Sequence, residues 1–352
     1  MSPEKEKGGH GLLVYSVAHF VVDFSCAFIM AGMVMEKETG AALLLIYNFC
    51  AFAMQIFIGI AADYINKNAV VATAGCVFVA LSCFFHENLI IVVIIAGLGN
   101  AMFHIGAGVD ILNSGISSSK IFPAGMFVST GAFGIYLGKV LGSKAYMQAV
   151  VIILLFVMAL LVLLTAAYSG KLVSSGNMKV SFSIKSTWHY ISAIMFFGVV
   201  VIRSYMGMVM HFPWQGSIAC GALLITIMTV SGKCLGGVFA DKAGSLKASI
   251  ISLAGAALLF MFSSNVIAGL LAVFLFQMTM PVTLWFLAGI LDKCRGFAFG
   301  ILTFALFAGY YASYRKTGIF LQDSTILSVI SLVMMVAGII TFYAGKGKGE
   351  CV

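Results

Sequence analysis

The sequence predicts an all-α membrane protein, with twelve transmembrane helices in two pseudosymmetric six-helix bundles. Three observations carry that prediction. Apolar residues make up 62% of the chain and charged residues only 9%, whereas a soluble domain carries about 25% charged residues. A surface so poor in polar groups has lipid as its main solvent. Apolar runs near the spanning length of about 20 residues recur, centred near residues 22, 51, 77, 100, 131, 157, 199, 225, 254, 277, 305 and 333. Finally, Gly59-Ile60-Ala61-Ala62-Asp63 returns 178 residues later as Gly237-Val238-Phe239-Ala240-Asp241. A repeat at half the chain length marks an internal duplication.

Taken in order, the polar segment from Met1 to His10 has no separate cleavable leader, so the first run, Gly11 to Val34, is expected to remain in the membrane. Polar turns separate most of the runs: Glu36-Lys37-Glu38, Asn66-Lys67-Asn68, His86-Glu87-Asn88, Ser117-Ser118-Ser119, Gly142-Ser143-Lys144, Lys242-Ala243-Gly244 and Asp292-Lys293-Cys294-Arg295. The boundary at Ser263-Ser264-Asn265 is faint and rests on the duplication. The longest polar stretch, with Lys171, Lys179 and Lys185, reads as a cytoplasmic linker over 169–187 between bundles 1–168 and 188–352.

Net charge is +8. In a soluble protein that would point to nucleic acid, but here the cations fall in loops and set topology instead. With both termini cytoplasmic, that side holds Lys5, Lys7, Lys67, Lys120, Lys171, Lys179, Lys185, Lys242, Lys247, Lys293, Arg295, Lys346 and Lys348. The other side holds Lys37, Lys139, Lys144, Arg315 and Lys316. Thirteen against five supports this orientation in a cell membrane. Cys26, Cys50, Cys76, Cys83, Cys220 and Cys234 form no C-x-x-C pair and read as small buried side chains.

Two parallel six-helix halves are the architecture of major facilitator transporters, and the repeated stretch is similar to that superfamily's G-x-x-x-D-R-x-G-R turn between helices 2 and 3. The second copy keeps Gly237, Ala240, Asp241, Lys242 and Gly244, while the first keeps Gly59, Ala62, Asp63 and Lys67 but has Tyr64 and Asn66 where Arg and Gly are usual. The resemblance implies a cytoplasmic gate at Gly59, Asp63, Gly237, Asp241 and Lys242. A carboxylate there can pair with a cation or a helix N-terminus of the other half; the plainer alternative is a solvated loop Asp. The fuller second motif predicts that Asp241→Asn impairs transport more than Asp63→Asn.

Ionisable groups at membrane depth are costly and mark pathways or partners. His19 and Asp23 lie four residues apart on one helix face. With His104 they are the candidate proton-coupling residues, or else a structural hydrogen bond. His19-Phe20-x-x-Asp23, Gly97-x-Gly99-x-x-x-Phe103-His104 and the stripe Gly131, Gly134, Gly138 resemble the fosmidomycin-resistance branch. The chain departs from that branch at Ile105, Gly106 and Lys139, where it usually has Pro, a carboxylate and Pro. The branch resemblance tilts direction toward efflux by proton antiport.

Arg203 carries a permanent charge in an apolar run and needs an anion. It either anchors an anionic solute or pairs with Asp23. Asn100, Gln277 and Trp285 complete the candidate solute site, and Pro281 is expected to bend its helix. Asp110, Lys139 and Lys233 stay open between pathway and interface. There is no G-x-x-x-x-G-K-[ST] loop, metal-spaced His cluster or nucleophile elbow. No cofactor, metal or enzymatic activity is therefore expected, and the partners are protons, a small solute and lipid, with the chain a monomer. The reading is a proton-coupled secondary transporter of a small anionic organic solute; uptake of an organic acid or nutrient, or a non-transporting sensor, are its rivals.

Overall fold

A computed structural model describes residues 3–142, 144, 147–170, 180–184, 186–315 and 323–347. These residues form helices and connecting turns, with no strand among them. The spans are α1 (Gly11–Val34), α2 (Gly40–Ile65), α3 (Asn68–Phe85), α4 (Leu89–Ser117), α5 (Phe122–Leu141) and α6 (Gln148–Tyr168), then α7 (Thr187–Val209), α8 (Gly221–Ala243), α9 (Ser245–Phe260), α10 (Val266–Ile290), α11 (Arg295–Tyr314) and α12 (Ser324–Lys346). Each of the twelve contains its sequence-predicted centre, although α8 is centred near residue 232 rather than 225. Eleven are long and apolar enough to cross a membrane. The exception is α9; its 16 residues reach about 24 Å at 1.5 Å per residue, short of a hydrocarbon core of about 30 Å. The faint boundary after it is a true helix start: Asn265 Oδ1 accepts from Ile267 N at 2.9 Å and Ala268 N at 3.2 Å, an N-cap.

The chain divides into two compact units. The first comprises Met1–Ser114, Thr130–Val180 and Lys293–Phe304, and the second Gly115–Ser129, Ser181–Asp292 and Ala305–Val352. Each unit thus takes the opening turns of one helix, α11 or α5, from the other half of the sequence. Within the first, α6 packs on α1 and α3; within the second, α12 packs on α7 and α9. These pairs correspond under the 178-residue offset, so the duplication in sequence is a duplication in packing. Lys171 and Lys179 of the expected linker, with Lys185, Lys316 and Lys348, lie outside the described residues.

Close helix approach follows from small residues. A Cβ at Gly99 would collide with α3 at Gly75 and Val79, and one at Gly106 would collide with Ala72 and Asn68. On the opposite side of α1, Gly134 and Gly138 bring α5 against the backbone at Phe20 and Phe24. Large apolar side chains such as Ile153, Leu160 and Leu164 of α6 stay exposed, the outward-facing apolar surface that lipid requires. Cys26, Cys50, Cys76, Cys83 and Cys294 are buried, but Cys220 is exposed and Cys234 half-buried, which corrects their sequence assignment. Cys220 immediately precedes the first residue of α8.

α10 is broken as expected. Its segments Val266–Gln277 and Met280–Ile290 flank a turn at Met278 and Thr279, with Pro281 in the first turn of the second segment. Proline has no N–H to give the carbonyl four residues back, so the break leaves backbone polar groups near Gln277 for other partners.

Candidate functional site

The first unit holds a polar cluster where α1 and α4 meet. His19 and Asp23, one turn apart, are 5% and 8% exposed; His104 and Asn100, one turn apart on α4, are 8% and 2%. His19 Nε2 lies 3.2 Å from Asp23 Oδ2, and His104 Nε2 lies 3.6 Å from Asp23 Oδ1. Asn100 Nδ2 donates to Asp23 Oδ1 at 3.2 Å and reaches Cys26 Sγ at 3.6 Å. The two imidazoles meet edge to face through their Nε2 atoms, 2.8 Å apart. Gly131 of α5 completes the enclosure, since a Cβ there would overlap both Asp23 Oδ2 and His19 Nε2.

Proton positions follow from the partners. His104 Nδ1 is 2.9 Å from the Asn100 carbonyl oxygen, which can only accept, so Nδ1 carries a proton. Two ring nitrogens 2.8 Å apart need a hydrogen between them, so one Nε2 donates and the other accepts. One proton held among two imidazoles and a carboxylate can be passed by small changes in geometry. Asn100 Oδ1 is buried with no hydrogen-bond partner among the described residues.

The second unit holds Arg203 in the last third of α7, 5% exposed. Its guanidinium donates to Thr279 Oγ1 at 2.5 Å and reaches Met280 Sδ at 3.2 Å, with the Phe276 ring centroid 5.8 Å from Cζ. All three belong to the break in α10, so the cation is pinned where that helix opens. No carboxylate of its own unit lies within 4 Å of it among the described residues, and its Nε has no hydrogen-bond partner. Gln277 Oε1 and Trp285 Nε1, both on α10, are likewise buried atoms without a partner. Arg203, Gln277 and Trp285 of this unit, and Asn100 of the first, were each chosen from the sequence as solute contacts, and each carries one such atom.

The two repeated aspartates each cap a helix. Asp63 accepts from Gly296 N at 2.7 Å and Phe297 N at 2.9 Å, at the start of α11. Asp241 accepts from Ile121 N at 2.7 Å and Phe122 N at 3.1 Å, at the start of α5. A carboxylate at a helix N-terminus meets unpaired N–H groups and the positive end of the dipole. Gly59 and Gly237 give the room: a Cβ would run into the Gly296 carbonyl at the first and Phe122 Cα at the second. Lys242 is exposed and stands outside both caps.

Sequence reasoning missed the partners of Asp110, which accepts from Tyr15 Oη at 2.7 Å and Asn68 Nδ2 at 2.9 Å. That bond pair ties α1 and α3 to α4, a structural role. It also missed Thr279 and Met280 under Arg203, whose only signal was the adjacent Pro281. Lys139 is exposed and Lys233 half-buried.

No protein-family profile matches the sequence, and no curated protein matches it. The fold does match solved structures. It resembles the Escherichia coli fucose:proton symporter, with TM-score 0.65 and 13% identity over 95% of this chain and 98% of that one. It also resembles the human organic anion transporter MFSD10, with TM-score 0.71 and 12% identity over 96% and 100%. A third likeness is a bacterial homologue of the iron transporter ferroportin, with TM-score 0.63 and 11% identity over 97% and 99%. The chain has the major facilitator fold.

Proposed function

We propose that the chain is a proton-coupled secondary transporter that moves a small anionic organic solute across the cell membrane by alternating access. The observation that carries the reading is Asp23 buried between two imidazoles in α1 and α4. A carboxylate and two imidazoles at membrane depth are expensive to keep unless they load and release protons. The anionic preference rests on Arg203, a buried cation with no carboxylate of its own unit within 4 Å among the described residues, for which a negative solute is a natural counter-ion. In the same unit as Arg203, Gln277 and Trp285 offer buried neutral polar atoms for that solute, and Asn100 of the first unit is a further proposed contact. The similar structures include a sugar:proton symporter and an organic anion transporter, in keeping with both parts of the reading.

In this reading the Asp63 and Asp241 caps hold one access state and release in the other. Both termini are placed in the cytoplasm, the chain works as a monomer, and efflux is the favoured direction. The test uses proteoliposomes. A pH gradient should drive solute flux in the parent, and Asp23→Asn should abolish the gradient dependence while leaving exchange at equal pH. Gradient-driven flux that survives in Asp23→Asn would remove the coupling assignment. The solute class comes from a thermal-shift screen of organic acids and phosphonates. Anionic hits should vanish in Arg203→Ala; hits retained there would end the anchor role.

A further inference from the structure

We propose that His19, Asp23 and His104 form a binding site for one divalent transition-metal ion, of the class that favours imidazole together with carboxylate. The inference goes beyond the coupling reading, because it needs only the positions of three ligand atoms and not a flow of protons. One ligand atom from each residue falls in a group spanning no more than 4.8 Å. The closest separations are 2.8 Å between the two Nε2 atoms, 3.2 Å from His19 Nε2 to Asp23 Oδ2 and 3.6 Å from His104 Nε2 to Asp23 Oδ1, so the carboxylate turns a different oxygen to each imidazole. An ion bonded to N and O ligands at about 2.0–2.2 Å has ligand–ligand edges of about 2.8–3.6 Å between right-angled and tetrahedral arrangements. Each closest separation falls in that range, and the carboxylate can ligate through one oxygen or both.

Three further features fit a ligand set better than a purely structural contact. His104 Nδ1 donates to the Asn100 carbonyl, the outer bond that fixes the tautomer and aims Nε2 in metal-bound histidines. Asn100 Nδ2 in turn holds Asp23 Oδ1, so one residue orients two of the three ligands. Asn100 Oδ1, on a side chain 2% exposed, has no partner beside them. Two imidazoles and one carboxylate on one side of the ion leave its other positions open, an arrangement suited to Fe²⁺, Co²⁺ or Zn²⁺ and poor for Mg²⁺ or Ca²⁺, which take oxygen ligands. No metal-spaced signal is visible in the sequence because the second imidazole arrives from α4, 85 positions after the first.

The experiment titrates detergent-purified, chelator-stripped full-length protein with Co²⁺. It reads visible ligand-field bands and bound metal by equilibrium dialysis, with Mg²⁺ and Ca²⁺ as parallel arms. One equivalent of Co²⁺ should bind with nitrogen–oxygen bands, and His19→Gln and His104→Gln should each weaken it at least about tenfold. His86→Gln, in a loop, should change nothing. No bound Co²⁺, sulfur-to-metal bands, or affinity unchanged in the His19→Gln/His104→Gln double variant would overturn the site. Should either variant fail to fold, pulsed electron paramagnetic resonance on the Cu²⁺-loaded parent decides. Modulation from two imidazoles supports the site, and none or one refutes it. Gradient-driven flux measured in chelator keeps the two readings apart. Flux without metal binding sinks this inference alone, whereas metal binding without flux sinks the coupling reading alone.

Discussion

The two Asp turns carry one design at different levels of sequence decay. The turn at Asp241 keeps the basic residue and the glycine that follow; the turn at Asp63 has Tyr64 and Asn66 in their place. Yet both carboxylates take two backbone N–H groups at the start of a helix, and the decayed copy does so with the shorter pair of bonds, 2.7 and 2.9 Å against 2.7 and 3.1 Å. Asp63 is also buried, while Asp241 is half-exposed. The lesson is that the working contact is made to main-chain atoms, which no motif position encodes. What the motif positions encode is the exit from the helix. Asn66 aligns with Gly244 under the 178-residue offset, and both have positive φ, 50° and 85°.

The strongest way to break the comparison is to neutralise each carboxylate in turn. An amide keeps one acceptor oxygen and turns an N–H toward the helix end, so a charge-assisted bond worth about 1.5–3 kcal/mol is lost. Asp63→Asn should therefore destabilise by about 2 kcal/mol in thermal unfolding and lower flux by about tenfold or more. Asp241→Asn, partly screened by its exposure, should cost about 1 kcal/mol and a few-fold in flux. This order reverses the one the motif suggested, because burial and bond length, rather than motif completeness, set the loss. A larger effect at Asp241 would restore the motif as the better guide.

Much of the fold was legible because lipid imposes a coarse rule: spans must be apolar and of a set length. Eleven spans follow from it, while the boundary that closes short α9 rested on the duplication alone. His19 and Asp23 were legible because their spacing lies within one helix. Their union with His104 was not, since it depends on how Gly131, Gly99 and Gly106 let α5, α4 and α3 close up. Arg203 was visible as a charge out of place, whereas its seat on Thr279 was hidden in the break of α10. A helix N-terminus of the other half was a partner the sequence reading allowed for Asp63 and Asp241, but which helix was beyond reach, since side-chain patterns say nothing about which backbone N–H groups come near. The non-transporting rival leaned on Tyr64 and Asn66 alone, and the intact cap at Asp63 removes most of that support.

The helix exits sharpen the comparison at a smaller scale. Asn66 is left-handed, at φ 50° and ψ 37°, a region Asn tolerates. Gly244 sits at φ 85° and ψ 143°, near a region essentially reserved for glycine. The substitutions are therefore not reciprocal. Asn66→Gly should leave the melting temperature nearly unchanged, and Gly244→Asn should lower stability by about 1–2 kcal/mol. Equal effects in chemical unfolding would mean that the two exits share one conformation.

The smallest expected effect is the most telling about the missing cation. Tyr64 is 66% exposed, and its counterpart Lys242 is exposed as well. Neither residue touches the cap, and an exposed charge near a helix end is worth only a few tenths of a kcal/mol. Tyr64→Arg, which restores the usual motif residue, should shift stability by less than about 0.5 kcal/mol and flux by less than about twofold. A tenfold rise in flux would instead place the gate in the cation rather than the cap. The basic residue at Lys242 would then be a working part whose loss from the first copy has a cost, and the two turns would be unequal after all.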